Sequence, residues 1–116
     1  MEIRVEITGI AEVIRQLDGL VSAAALREGL AAAAHLVEGR AKIKAPVDTG
    51  FLRNSIGVVS VTSREAVIGV GAEYGVYQEM GTRFMRAQPF MRPALENNRE
   101  AIAGLIRDAL LRGASR

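Results

Sequence analysis

The chain opens on strict alternation. Ile3, Val5 and Ile7 fall on one side and Glu2, Arg4, Glu6 and Thr8 on the other, the period-two pattern of a half-buried strand. Gly9 ends it. Ile10, Val13, Ile14 and Leu17 then recur at helical spacing as far as Asp18-Gly19, which predicts a short amphipathic helix. Ser22 is placed to cap a second, longer helix that runs to about Lys44. Leu26, Leu30, Ala33, Ala34, Val37 and Ala41 form one stripe along it, while Leu36 and Ile43 fall on another flank, so this helix is apolar on more than one side. Ala31 to Ala34 in its middle allow a neighbour to approach closely. Arg40, Lys42 and Lys44 load its last turns with positive charge, where the helix dipole favours it, and Pro46 stops it.

Residues 47–51 read as a turn, with Asp48 as an Asx-type acceptor and Gly50 free to take positive φ. Two strand candidates follow, Ser55 to Thr62 and Ala66 to Gly71, joined through Ser63-Arg64-Glu65 as a hairpin. Glu73 to Met80 reads as one or two helical turns with Tyr74 and Tyr77 on one side, and Gly81 is the natural stop after it. A polar, arginine-bearing loop extends from Gly81 to Gln88. From Met91 a single final helix is expected, with Pro93 near its first turn and Leu95, Ile102, Leu105, Ile106, Ala109 and Leu110 as its buried stripe. Arg112 to Arg116 read as a frayed end. Strands and helices are segregated, not alternating as βαβ. That pattern predicts an α+β fold: a small antiparallel sheet, made of the N-terminal strand plus the hairpin, with a long central helix and a C-terminal helix packed on it.

Composition narrows the function more than the fold. The 116 residues suit one domain, 1–116, since a single core typically serves about 100–150 residues. At 49% hydrophobic and 24% charged the chain has a globular balance. With no Trp and only 4% aromatics, the core must be built from Ala, Val, Leu and Ile. The absence of cysteine excludes disulfides, thiolate zinc sites and cysteine nucleophiles. A single histidine, His35, leaves no basis for a Ser-His-Asp triad or a histidine-rich metal site, and no cofactor is expected. No apolar run is long enough to cross a membrane, and Glu2, Arg4 and Glu6 stand where an export signal would be hydrophobic. The net charge of +2 is small, but thirteen arginines stand against two lysines, a bias suited to bidentate and stacked contacts at interfaces.

Three constellations invite chemistry. Asp48-Thr49-Gly50 is the triplet around an aspartic-protease aspartate, and Val67-Ile68-Gly69 imitates a later segment of such enzymes. Those enzymes are nearly all β and their aspartate follows a hydrophobic strand, whereas Asp48 follows a long basic helix, so a capped turn is the plainer reading. Gly69, Gly71 and Gly75 have spacing loosely like a phosphate loop but lack the strand-to-helix frame and the Lys-Ser/Thr, which leaves a twisted strand end. His35 reads as a lone, partly buried histidine. Arg83, Arg86 and Arg92, interleaved with Phe84, Met85, Phe90 and Met91, form the one segment whose composition suits contact, with protein or with nucleic acid.

Three blocks in order resemble one family. Ala45 to Ile56 is similar to its block of proline, aspartate-threonine-glycine, leucine-arginine and serine-isoleucine, here Pro46, Asp48, Thr49, Gly50, Leu52, Arg53, Ser55 and Ile56. Ala72 to Thr82 resembles its tyrosine-rich block, with Tyr74, Tyr77, Glu79, Gly81 and Thr82. Gln88 to Leu95, with Pro89 and Pro93, resembles the block that opens its last helix. The family is that of the tail-completion or head–tail joining proteins of HK97-type long-tailed phages and prophages. The resemblance implies a non-enzymatic virion protein, assembled in the host cytoplasm and built into the neck or tail as a homo-oligomeric ring. Its implied partners are copies of itself and the phage connector and tail proteins, with passive contact to DNA in the ring lumen and none to a membrane. Gly75 between the tyrosines and Met80 depart mildly from the family pattern. The alternatives from the residues alone are a small nucleic-acid-binding module using the arginine loop and, behind it, a retropepsin-like protease at Asp48. As a turn cap, Asp48→Asn should keep the acceptor oxygen and cost within about 1 kcal/mol in urea unfolding, and Asp48→Ala should cost more. A peptidase activity lost in Asp48→Asn would overturn that reading.

Overall fold

A computed structural model describes residues 1–6, 22–45, 50–72, 75–83 and 86–114. The short helix expected over Ile10 to Leu17, with Ile7, Pro46, Asp48, Thr49, Tyr74, Phe84 and Met85, lies outside the described residues. Among those described, β1 (Glu2–Glu6) is followed by the long α1 (Ala23–Lys44), a single turn α2 (Phe51–Asn54), and the hairpin of β2 (Ile56–Val61) and β3 (Glu65–Val70). Then come α3 (Gly75–Met80), α4 (Met91–Glu96) and α5 (Arg99–Ala114). The fold is α+β.

The sheet has order β1-β3-β2, antiparallel throughout, so β1 and β2 run parallel to one another on its two edges. Ile3, Ile68 and Val58 form one row, and Val5, Ala66 and Val61 another, facing α1. Arg4, Val67 and Ser60 form a row on the opposite face. A bulge between Val58 and Ser60 breaks the β2 register. The hairpin turn is closed by Thr62, whose Oγ1 accepts from the Arg64 and Glu65 backbone N–H groups at 3.1 and 3.2 Å.

Helix α1 starts where Ser22 caps it, the Ser22 Oγ accepting from the Ala25 N–H at 3.1 Å. It lies on the sheet with one flank and against α5 with the other. Its expected stripe, Leu26, Leu30, Ala33, Ala34, Val37 and Ala41, is entirely buried. Helix α5 runs antiparallel to it at very short range. A Cβ built on Gly29 would stand 2.8 Å from the Ile106 Cα, and one built on Gly113 would stand 2.9 Å from the Ala25 Cβ. Small residues along this crossing bring the two backbones together, which lets a core poor in aromatics reach dense packing.

Four expectations need correcting. The last helix is two: Asn97-Asn98 separate α4 from α5, and the Asn98 Nδ2 donates to the Ala94 carbonyl at 2.8 Å, an amide competing for helical hydrogen bonds. The apolar stripe passes through the break, with Ala94, Ile102, Ile106, Ala109 and Leu110 buried but Leu95 and Leu105 only half-buried. Of the end read as frayed, Arg112 to Ala114 continue α5, with Arg112 pairing with Glu28 at 3.2 Å, while residues 115 and 116 lie outside the described residues. His35 is exposed, lying on the flank away from both the sheet and α5, with its Nδ1 3.9 Å from Glu38.

Gly29 and Gly39, in the same helix, separate packing from propensity. Gly29→Ala pushes a methyl into backbone that cannot rotate away, so overpacking of about 1–3 kcal/mol outweighs the helical gain and the protein should lose stability. Gly39 is exposed with nothing within 4 Å of its added Cβ, so Gly39→Ala should stabilise by about 0.5–1 kcal/mol. Urea unfolding of the pair checks both signs.

Candidate interaction surface

Helix α3 ends as its glycine predicts. Gly81 takes φ 77° and its N–H donates to the Tyr77 carbonyl at 2.7 Å, a left-handed stop that ends the helix. The loop returns to the same place, where the Gln88 N–H donates to the Gln78 carbonyl at 2.7 Å. Next to this pair, Glu79 closes the base. Its Oε1 accepts from the Phe90 and Met91 N–H groups at 3.0 and 2.9 Å, and its Oε2 accepts from the Arg92 N–H at 3.1 Å.

These are the orphan donors at the start of α4, whose N-cap position is Phe90, a residue with no side-chain acceptor of its own. A carboxylate from another element therefore does the capping. The Phe90 and Met91 side chains complete the anchorage: both are buried in the core cluster. Sequence grouped these two with the contact residues, and the structure places both side chains in the core instead. Arg83, Arg86 and Arg92 are exposed, as are Thr82 and Pro89, while Pro93 is half-buried in the first turn of α4.

Large apolar side chains are exposed in α1, α2 and α3. Gly75 seats α3 tightly, since an added Cβ would lie 2.8 Å from the Val70 Cγ1 and 3.4 Å from the Leu52 Cδ1. Val76, Tyr77 and Met80 of this helix face outward, Tyr77 at 55% and Met80 at 73% exposure. Phe51, beside buried Leu52 in α2, is 62% exposed, and Ile43 in the last turn of α1 is 71% exposed. Arg53 ties these elements together by donating from Nε to the Lys42 carbonyl at 2.9 Å, placing a cation at the C-terminal end of α1. Gly50, at φ 79°, makes the positive-φ position read from the sequence. Exposed large apolar side chains such as these, with Lys44, Arg83 and Arg86 also exposed, are of the kind suited to protein contact.

Gly69 and Gly71 belong to a strand and its end, with the outer sheet face forming an open groove of about 350 Å³ between Met1, Gly57, Val59 and Gly69. Among the described residues no group of acidic or histidine side chains is arranged to hold a metal, and no helix is long and apolar enough to cross a membrane.

Residues 11–81 match the family model described as "Bacteriophage HK97-gp10, putative tail-component", and the chain belongs to that family. The match takes in α1, the hairpin and α3, while the arginine loop, α4 and α5 lie beyond it. No curated protein and no solved structure matches the chain. The protein is accordingly a phage tail component, of a structural family.

In the sequence Glu79 stands out only as a member of the tyrosine-rich block. Its action on an element eleven to thirteen residues away has no local signature. Glu79→Ala strands three N–H groups and should cost about 2 kcal/mol, with Glu79→Gln losing roughly half as much because one acceptor oxygen survives. Trypsin should then nick after Arg83 and Arg86 faster in Glu79→Ala than in the parent, and an unchanged cleavage rate would dismiss the clamp.

Proposed function

We propose that the protein is a ring-forming subunit of the head–tail junction or tail end, acting in tail completion and head–tail joining. The observation that carries this reading is the exposure of Ile43, Phe51, Val76, Tyr77 and Met80 in a chain that also displays an arginine-bearing loop clamped at its base. A lone subunit gains nothing from exposing these side chains. Burying a Phe, Met or Ile side chain is worth about 1.5–3 kcal/mol each, so covering several would drive assembly once copies or tail proteins meet. The loop adds selectivity: its arginines accept planar, bidentate partners such as carboxylates on a connector or tail protein. With the family match, this supports a role exercised through contact and not through catalysis.

Isolated subunits are expected as monomers or small oligomers, with rings forming at high concentration or on a connector or tail template. Assembly then takes place in the host cytoplasm and the product resides in the virion. The test is the double variant Arg83→Ser, Arg86→Ser. Both residues are exposed, so its unfolding free energy should stay within about 0.5 kcal/mol of the parent. Complementation should nevertheless yield filled heads and separate tails in place of virions. Normal joining by this variant, together with lost binding to DNA at low salt, would transfer the loop to nucleic acid instead. Loss of the fold would return the loop to the core.

A further inference from the structure

A surface helix ordinarily turns its apolar side chains inward and its polar ones to water. Helix α3 is built the other way round. Val76, Tyr77 and Met80 are exposed, and no side chain of α3 enters the core cluster. Toward the body it presents buried Gly75, set against Val70 and Leu52, and the half-buried Gln78 and Glu79. The bonds at its far end are polar. The Gln88 N–H donates to the Gln78 carbonyl, and the N–H groups of Phe90, Met91 and Arg92 donate to the Glu79 carboxylate.

The two sides of this clamp are anchored differently. Phe90, Met91 and Ala94 are buried in the core cluster, so packing fixes the start of α4. Helix α3 has no such anchor. Withdrawing Gly75 pulls no side chain out of the core, and the N–H groups of residues 90–92 can pass to water. Segments with few buried apolar contacts open at free energies well below that of the whole protein. Here one carboxylate accepts three charge-assisted bonds, so all three are made or lost together.

We propose that α3 is a strap latched by Glu79, which lifts from the body as one unit while the sheet, α1, α4 and α5 stay folded. The inference concerns the isolated subunit and holds whether or not rings form. A neighbour seated on Val76, Tyr77 and Met80 would take hold of the strap and not of the core, and Glu79 would set how readily the strap follows. Lifting also bares Val70 and Leu52, which are 8% and 2% exposed with the strap down.

Native-state hydrogen exchange separates strap from core. Amides bonded to Glu79 should exchange through lifting, and those in the middle of α1 and α5 only through global unfolding. Gly39→Ala, on the exposed flank of α1, stabilises the latched and lifted forms alike against the unfolded chain. It should slow the amides of Leu30 and Ile106 about two- to fivefold and leave those of Phe90, Met91 and Arg92 unchanged. Glu79→Ala removes the latch from the closed form alone and should speed both sets together, by about 30-fold. Glu79→Gln, which keeps one acceptor oxygen, should speed both by a smaller common factor and serves if the alanine variant does not fold. The absence of native cysteine allows a second measurement. The thiol of Val70→Cys, covered by Gly75, should label in the folded protein at a rate that Gly39→Ala leaves unchanged and Glu79→Ala raises. Amides of residues 90–92 that slow with Gly39→Ala in step with Leu30 would leave global unfolding as their route and overturn the strap. The same amides without protection would overturn the latch. Latch amides that behave as expected, beside a Val70→Cys thiol that labels only with the core, would confine the motion to the Glu79 side chain and overturn the lifting of α3.

Discussion

Helix α1 is enclosed on two flanks, by the sheet on one and by α5 on the other, and nearly everything else in the fold follows from how thin it must be there. A helix packed on both sides cannot carry large side chains on both without forcing its neighbours apart. The sequence answers with Ala25, Gly29, Ala33, Ala34 and Ala41, all buried. Contact at this range replaces bulky aromatic packing with many short backbone and methyl contacts, each weak and collectively large. The cost is tolerance: a single added methyl at Gly29 meets backbone, which has no rotamer to escape into.

Much of this was legible in the order of residues. The stripe on α1, its Ser22 cap, the hairpin and the Gly81 stop are all local signals, set by periodicity or by one residue's backbone freedom, and each stands where it was read. The division of the last helix was not legible, because the apolar stripe continues across Asn97-Asn98 and only the amide of Asn98, turned back on Ala94, reveals the break. The placement of Phe90 and Met91 was misread for a related reason. They adjoin a polar loop in sequence, but hydrogen bonds from Glu79 and burial among residues far along the chain draw them inside. His35 shows the converse, a residue whose exposure depends on which flank of α1 its neighbours leave open.

Membership of the phage tail-component family suits a molecule that exposes several large apolar side chains, Ile43, Phe51, Tyr77 and Met80 among them. A part in a larger assembly withholds some of its apolar surface from its own core so that its neighbours have something to cover.

The clamp at the loop base has an implication for variation. Glu79 holds backbone N–H groups at positions 90–92, and Gln78 and Gln88 join through main-chain atoms, so these bonds do not depend on which side chains stand at 82–87. A tip closed in this way can be rewritten without altering the frame that displays it. The same scaffold could therefore be fitted to a different neighbour by a change of tip alone, leaving the core of α1 and α5 under its own, stricter rules.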